Sequence, residues 1–199
     1  MSDEKNFYPD WLSSTLASDA AAGRGVLPIW IKSLKPNSRV VGVAFVVLAA
    51  QDDNLAVTQA LKKIPPSGCV MMVGGMSTSR TATIGGLLGL EMQNSGIAGL
   101  VTDGLIRDVQ EIRNLNLQVW CRGVTPLAPA KYNEGATGIP ITVGGIKVQD
   151  GDLVIADDDG VVIWPKDHID ELLLKAKAKL DSDNARLENL LEQAKRKAI

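Results

Sequence analysis

The sequence predicts an α/β domain, and three observations carry that prediction. Strand-like and helix-like runs alternate between residues 40 and 121, the order that builds a sheet covered by helices. Aromatic residues are only 4% of the chain, so the core must come from Val, Ile, Leu and Ala, as in parallel or mixed sheets. At 199 residues the chain has room for one ordinary domain, with a core that closes without disulfides or a structural metal.

The elements follow in order. Residues 10–22 read as a short helix ended by Gly23, and Pro28 and Pro36 bracket an extended link. Residues 40–50 are a β-rich apolar run, hence a buried strand. Asp52-Asp53-Asn54 offers an N-cap to a helix carrying Leu55, Ala56, Ala60, Leu61 and Ile64. Pro65-Pro66-Ser67-Gly68 stops it, and residues 69–73 form a second buried strand closed by Gly74-Gly75. After a polar loop, residues 82–94 read as a helix ended by Gly96, and residues 98–102 as a third strand. Asp103-Gly104 is a turn, a further helix carries Val109, Ile112 and Leu115, and residues 117–121 are another strand.

From residue 140 the pattern changes to hairpins. Gly144-Gly145 suits a primed turn between short strands within residues 140–148. Two more strands, 153–156 and 161–164, flank Asp157-Asp158-Asp159-Gly160, which reads as a solvated turn because its spacing lacks the alternating ligands of a calcium loop. Residues 167–199 are a charged helical segment interrupted at 181–184, giving two helices or one broken one. The expected organisation is one α/β catalytic-type domain over 1–166 with a C-terminal helical extension over 167–199.

Composition excludes several functions. Twenty-one basic against 23 acidic residues leave a net charge of -2, which argues against nucleic acid or an anionic membrane as the main partner. Cys69 and Cys121 sit in apolar runs and read as buried free thiols of a reducing compartment. The acidic, polar first residues are unlike a secretory signal. The longest apolar run, 40–50, falls short of the ~20 residues a membrane span needs. A soluble, cytoplasmic protein is expected.

Dinucleotide and P-loop fingerprints are absent, and a single histidine, His168, rules out multi-histidine metal sites. Two candidate sites remain. Gly85-Gly86-Leu87-Leu88 opens a helix, where unpaired N–H groups attract an anion such as a carboxylate, although glycines at helix starts also serve packing. Arg107-Asp108 lies just beyond a short strand, the place where ligands gather in α/β sheets. There Arg107 offers a planar fork to a carboxylate or enolate oxygen, and Asp108 a hard ligand to a divalent ion. An ordinary surface ion pair at a helix start explains the pair equally well. Asp103 is the candidate proton acceptor. Lys131 is the lysine near these sites, and its Pro-rich flank suggests a substrate or interface contact rather than a Schiff base.

Five blocks in order carry a resemblance: Gly85-Gly-Leu-Leu88, Gly96-Ile-Ala-Gly-Leu-Val-Thr-Asp-Gly-Leu-Ile-Arg-Asp108, Arg122-Gly-Val-Thr-Pro126, Pro140-Ile-Thr-Val-Gly-Gly145 and the segment from Gly151 to Pro165. Together they resemble the family of 4-hydroxy-4-methyl-2-oxoglutarate/4-carboxy-4-hydroxy-2-oxoadipate aldolases and regulator of ribonuclease activity A-like proteins, over some three-quarters of the chain. The resemblance implies a swivelling αββα sandwich that assembles as a homotrimer or homohexamer with its site at a subunit interface. It implies that Gly85, Gly86, Leu87 and Leu88 hold a pyruvoyl carboxylate through their backbone, that Arg107 binds substrate, and that Asp108 holds Mg²⁺ or Mn²⁺ largely through water. One position departs: the aldolases carry an acid twenty-one residues before this arginine, where the chain has Gly86. Glu91, roughly 7–8 Å further along the helix, cannot substitute for it. Loss of CO₂ from a 2-oxo acid needs no such acid.

The function expected is a metal-dependent carbon–carbon lyase on small 2-oxo acids. It would release pyruvate by retro-aldol cleavage of 4-hydroxy-2-oxo diacids, by decarboxylation of oxaloacetate, or both. The alternative is a non-enzymatic, ribonuclease-regulating protein-binding module.

Overall fold

Near-continuous Val, Ala and Phe over residues 40–48 favour an extended backbone buried on both faces, and this run is the longest strand of the molecule. A computed structural model describes residues 8–197. In chain order it contains α1 (Ser14–Ala20), β1 (Lys32–Ser33), β2 (Val40–Leu48), α2 (Leu55–Leu61), β3 (Val70–Gly74), β4 (Ala82–Ile84), α3 (Gly86–Asn94) and β5 (Gly99–Thr102). Next come β6 (Leu105–Ile106), α4 (Val109–Arg113), β7 (Gln118–Cys121), β8 (Gly123–Val124) and β9 (Ala136–Thr137). The chain ends with β10 (Ile141–Val143), β11 (Ile146–Val148), β12 (Leu153–Ala156), β13 (Val161–Trp164), one 3₁₀ turn (Lys166–His168) and α5 (Ile169–Lys197).

The main sheet has the order β1-β7-β5-β3-β2-β12-β13, with β9 pairing β2 off that path. Strands β2, β3, β5 and β7 are parallel, and β1, β9, β12 and β13 join antiparallel. Alternation along β3 feeds two cores. Met71 and Val73 pack with Ala56, Met92 and Ile112 of α2, α3 and α4, whereas Val70 and Met72 pack with Trp120 and the β10–β11 hairpin. A third core joins α1 and the first half of α5 to Leu153, Ile155 and Trp164. The result is the expected mixed α/β sandwich, with a curled sheet and a long C-terminal helix.

Three short strands decide the site. β4, β6 and β8 form a separate parallel sheet, with Ile84 opposite Ile106 and Ile106 opposite Val124. Each lies a few residues beyond β3, β5 and β7 respectively, so the little sheet sits past the carboxyl ends of the main parallel strands.

Several local expectations are corrected. Residues 82–94 are not one helix: 82–84 are β4, because Ala82 and Ile84 pair with Leu105 and Ile106 of β6, and the helix begins only after Gly85. Helix α5 is unbroken across 181–184; no Gly or Pro falls there, and Lys177–Asp181 and Lys179–Asp183 pair one turn apart. The acidic turn is not merely solvated. Asp157 accepts from the backbone N–H and the hydroxyl of Ser14, and Asp158 from the N–H groups of Asn37 and Ser38. The β10–β11 hairpin is as expected, and Gly144 and Gly145 both take positive φ (55° and 87°), as a type I′ turn requires.

Candidate active site

Parallel pairing of Ile84 with Ile106 means that the residues after each strand leave side by side. Gly85-Gly86 and Arg107-Asp108 are those residues, and the Arg107 N–H donates to the Ile84 carbonyl at 3.1 Å. Asp108 is in the left-handed conformation (φ 56°, ψ 45°) at the start of α4 and makes no cap bond to its own helix. That backbone state is uncommon for a residue with a side chain, and here it turns the carboxylate across to α3. Asp108 Oδ2 accepts from the Gly86 N–H at 3.0 Å and lies 3.4 Å from Arg107 Nε.

Both side chains are 38% exposed. Among the described residues Asp108 is the sole ion-pair partner of Arg107. The glycines make this closeness feasible: a Cβ on Gly85 would lie 2.9 Å from Arg107 Nε and would fall on Asp108 Oδ2. Of the N–H groups in the first turn of α3, that of Gly86 is taken by Asp108. Those of Leu87 and Leu88 precede the first intrahelical donor, the Gly89 N–H, which bonds the Gly85 carbonyl, and so lie at the positive end of the helix dipole.

Asp103 faces elsewhere. It is 4% exposed and lines a cavity of about 650 Å³ beneath the hairpin, with Trp30, Ser77, Thr142 and Lys147. Burial pushes its carboxyl up, against the pull of the Met76 and Gly144 N–H groups and of Arg122. Among the contacts of the described residues, none joins it to Arg107 or Asp108. Lys131 is exposed on a segment tied to the start of α2, where the Ala130 N–H donates to Asp52 and the Tyr132 N–H to Asp53. Sequence reasoning missed Glu111, whose carboxylate lies over Gly86. Its signal was the spacing from Asp108, three residues at a helix start, which sets both acids on one side of α4.

The sequence profile of the RraA-like family (Aldolase/RraA) matches residues 14–163. The chain belongs to the RraA-like family. A relative from Halalkalibacterium halodurans, named "Putative 4-hydroxy-4-methyl-2-oxoglutarate aldolase", is 38% identical over 88% of this chain and 83% of its own. The 4-hydroxy-4-methyl-2-oxoglutarate aldolase of Thermus thermophilus is 31% identical over 77% of this chain and 92% of its own. Among solved structures, an unusual member of the RNase ES inhibitor RraA protein family from Streptomyces coelicolor superposes with a TM-score of 0.77 at 28% identity, covering 91% of this chain and 93% of that one.

Within this RraA-like fold, the donor set bears on which ion could be held. Asp108 Oδ1 has no partner among the described residues, and no group of three His, Cys, Asp or Glu that could hold a metal ion occurs among them. One exposed carboxylate oxygen fits a hard ion that keeps most of its waters, such as Mg²⁺ or Mn²⁺, and does not fit zinc, which takes several nitrogen or sulfur ligands. No helix of the described residues is long and apolar enough to cross a membrane.

Proposed function

We propose that this RraA-like chain is a divalent-metal-dependent carbon–carbon lyase on 2-oxo acids. Its reactions would be retro-aldol cleavage of 4-hydroxy-2-oxo diacids and decarboxylation of oxaloacetate, each releasing pyruvate. The observation that carries this reading is the joining of an arginine, a carboxylate and the open N-terminus of α3 at one corner. The names of the aldolase relatives support it.

The chain's own groups divide the work. The Leu87 and Leu88 N–H groups and the α3 dipole bind the substrate carboxylate. Arg107 grips the keto oxygen, then stabilises the charge that gathers there as the carbon–carbon bond breaks toward the enolate. Such preorganised donors are worth ~3–4 kcal/mol each. Asp108 holds Mg²⁺ or Mn²⁺, whose contribution when bound is Lewis-acid withdrawal of electrons from the keto acid. Leu87 and Val124, near this corner, are exposed. A second subunit of a homotrimer or homohexamer would cover them and exclude water, with a small 2-oxo acid as the partner and the cytoplasm as the compartment.

Pyruvate release from oxaloacetate and from a 4-hydroxy-2-oxo diacid, with and without Mg²⁺, tests the proposal. The expected result is Mg²⁺-dependent turnover, with the Mg²⁺ response lost in Asp108→Ala. Turnover that ignores both metal and variant rejects it. The Streptomyces relative's description as an RNase ES inhibitor family member favours one second reading, a protein-binding regulator. Inhibition of ribonuclease E-type cleavage without any pyruvate release would establish that reading instead.

A further inference from the structure

Resting on the lyase reading, we propose that Glu111 is the acid–base group for the retro-aldol reaction, standing in the place that an acid at position 86 would fill. Helix α4 packs on α3 through a glycine face. A Cβ on Gly89 would touch Leu115 and Ile112 at 3.2 and 3.5 Å, and one on Gly86 would fall on the Glu111 carboxylate, 2.8 Å from its Cδ and 3.0 Å from its Cβ. Glu111 therefore sends its carboxylate into the volume that a side chain at 86 would sweep.

Among the described residues that carboxylate has no hydrogen-bond or ion-pair partner, and Glu111 is exposed. It is thus neither a cap nor half of a salt bridge. It borders the same helix start that Asp108 touches through the Gly86 N–H, beside the groups proposed to hold the keto acid. Glycine at 86 leaves the room that the Glu111 side chain occupies, so an acid on α4 reaches the place beside the start of α3.

The step balances without another reactant. Glu111, directly or through one water, takes the proton of the 4-hydroxyl. The C3–C4 bond then breaks with its electron pair entering the enolate, and the same proton returned to C3 gives pyruvate and a carbonyl product. Decarboxylation has no hydroxyl proton to remove, and the enolate it leaves takes its C3 proton from water, so the two reactions should part company when Glu111 is changed.

Glu111→Gln should lower kcat for the 4-hydroxy-2-oxo diacid about 100-fold or more, the usual worth of a positioned acid–base group. Oxaloacetate decarboxylation should stay within about threefold of wild type. Gly86→Asp combined with Glu111→Ala should recover aldol cleavage relative to Glu111→Ala alone. A thermal cycle gives a readout free of activity: the change in Tm on Gly86→Ala should be less favourable in wild type than in Glu111→Ala, where the carboxylate that a Cβ at 86 would meet is gone; equal changes in both backgrounds would show that the carboxylate does not occupy that place. Equal losses in both reactions, or no loss in either, overturn the assignment and leave the lyase reading standing. A wild type that releases pyruvate from neither substrate overturns both.

Discussion

Asp108 shows how one backbone angle can redirect a side chain. With ordinary cap dihedrals its carboxylate would accept from α4, yet at φ 56° it reaches the Gly86 N–H of the neighbouring helix. Arg107 leans on the same arrangement through its 3.4 Å contact with Asp108. Arg107 would touch both the bound keto acid and the enolate, so Arg107→Ala should raise KM and lower kcat together, by about 100-fold in kcat/KM. Steady-state kinetics on oxaloacetate decide the matter, and unchanged parameters would remove Arg107 from the site. Neighbouring Asp103 is a different kind of carboxylate, buried under the hairpin and raised by that burial. Cys69 and Cys121 are likewise buried, their thiols pushed up to about 12 and about 11, out of reach of thiolate chemistry at neutral pH.

Among the elements, the start of α2 is held by Asp53, one of the three residues the sequence offers for its cap. Asn54 stands at the N-cap, but its side-chain amide donates to the Thr83 carbonyl, while Asp53 Oδ1 accepts from the Leu55 N–H at 2.9 Å. Asp53 Oδ2 also collects the N–H groups of Tyr132 and Asn133, pinning the 130–133 segment to the helix. Burial pushes the Asp53 carboxyl up, and the N–H donors outweigh it and hold it below its ordinary value. A carboxyl lowered in the folded state contributes stability that is complete above the unfolded value of about 4 and fades as pH falls through the folded value. Asp53→Asn should therefore cost about 1–3 kcal/mol at neutral pH. Urea unfolding of both proteins should show the gap closing below about pH 4, and a constant gap down to acid would refute the assignment.

At the scale of the whole molecule, the distal half of α5 stands away from the core. Leu172 and Ala176 are buried, whereas Leu187, Leu190 and Leu191 are exposed. With Leu87 and Val124 bare beside the proposed site, assembly into trimers would shield apolar surface and enclose the substrate. Sedimentation equilibrium should give three or six times the 21.2 kDa chain mass, and a monomer at micromolar concentration would reject this.

What the sequence determined by itself lies in its periodicities and turn chemistry. The buried strand read at 40–50 (40–48 in the structure), the one at 153–156 and the Gly144-Gly145 hairpin are all legible, because apolar runs and positive-φ turns are local properties. The Arg107-Asp108 pair was legible as a candidate for the same reason, being adjacent in the chain. The tertiary structure alone decided the rest. Two- and three-residue strands such as β4, β6 and β8 carry too little pattern to be read, since their pairing partners lie about twenty residues apart. That pairing sets Gly85 beside Arg107, and the packing of α4 on α3 carries the Glu111 carboxylate over Gly86. Both are contacts between separate elements, fixed by steric fit rather than by any local preference of the chain.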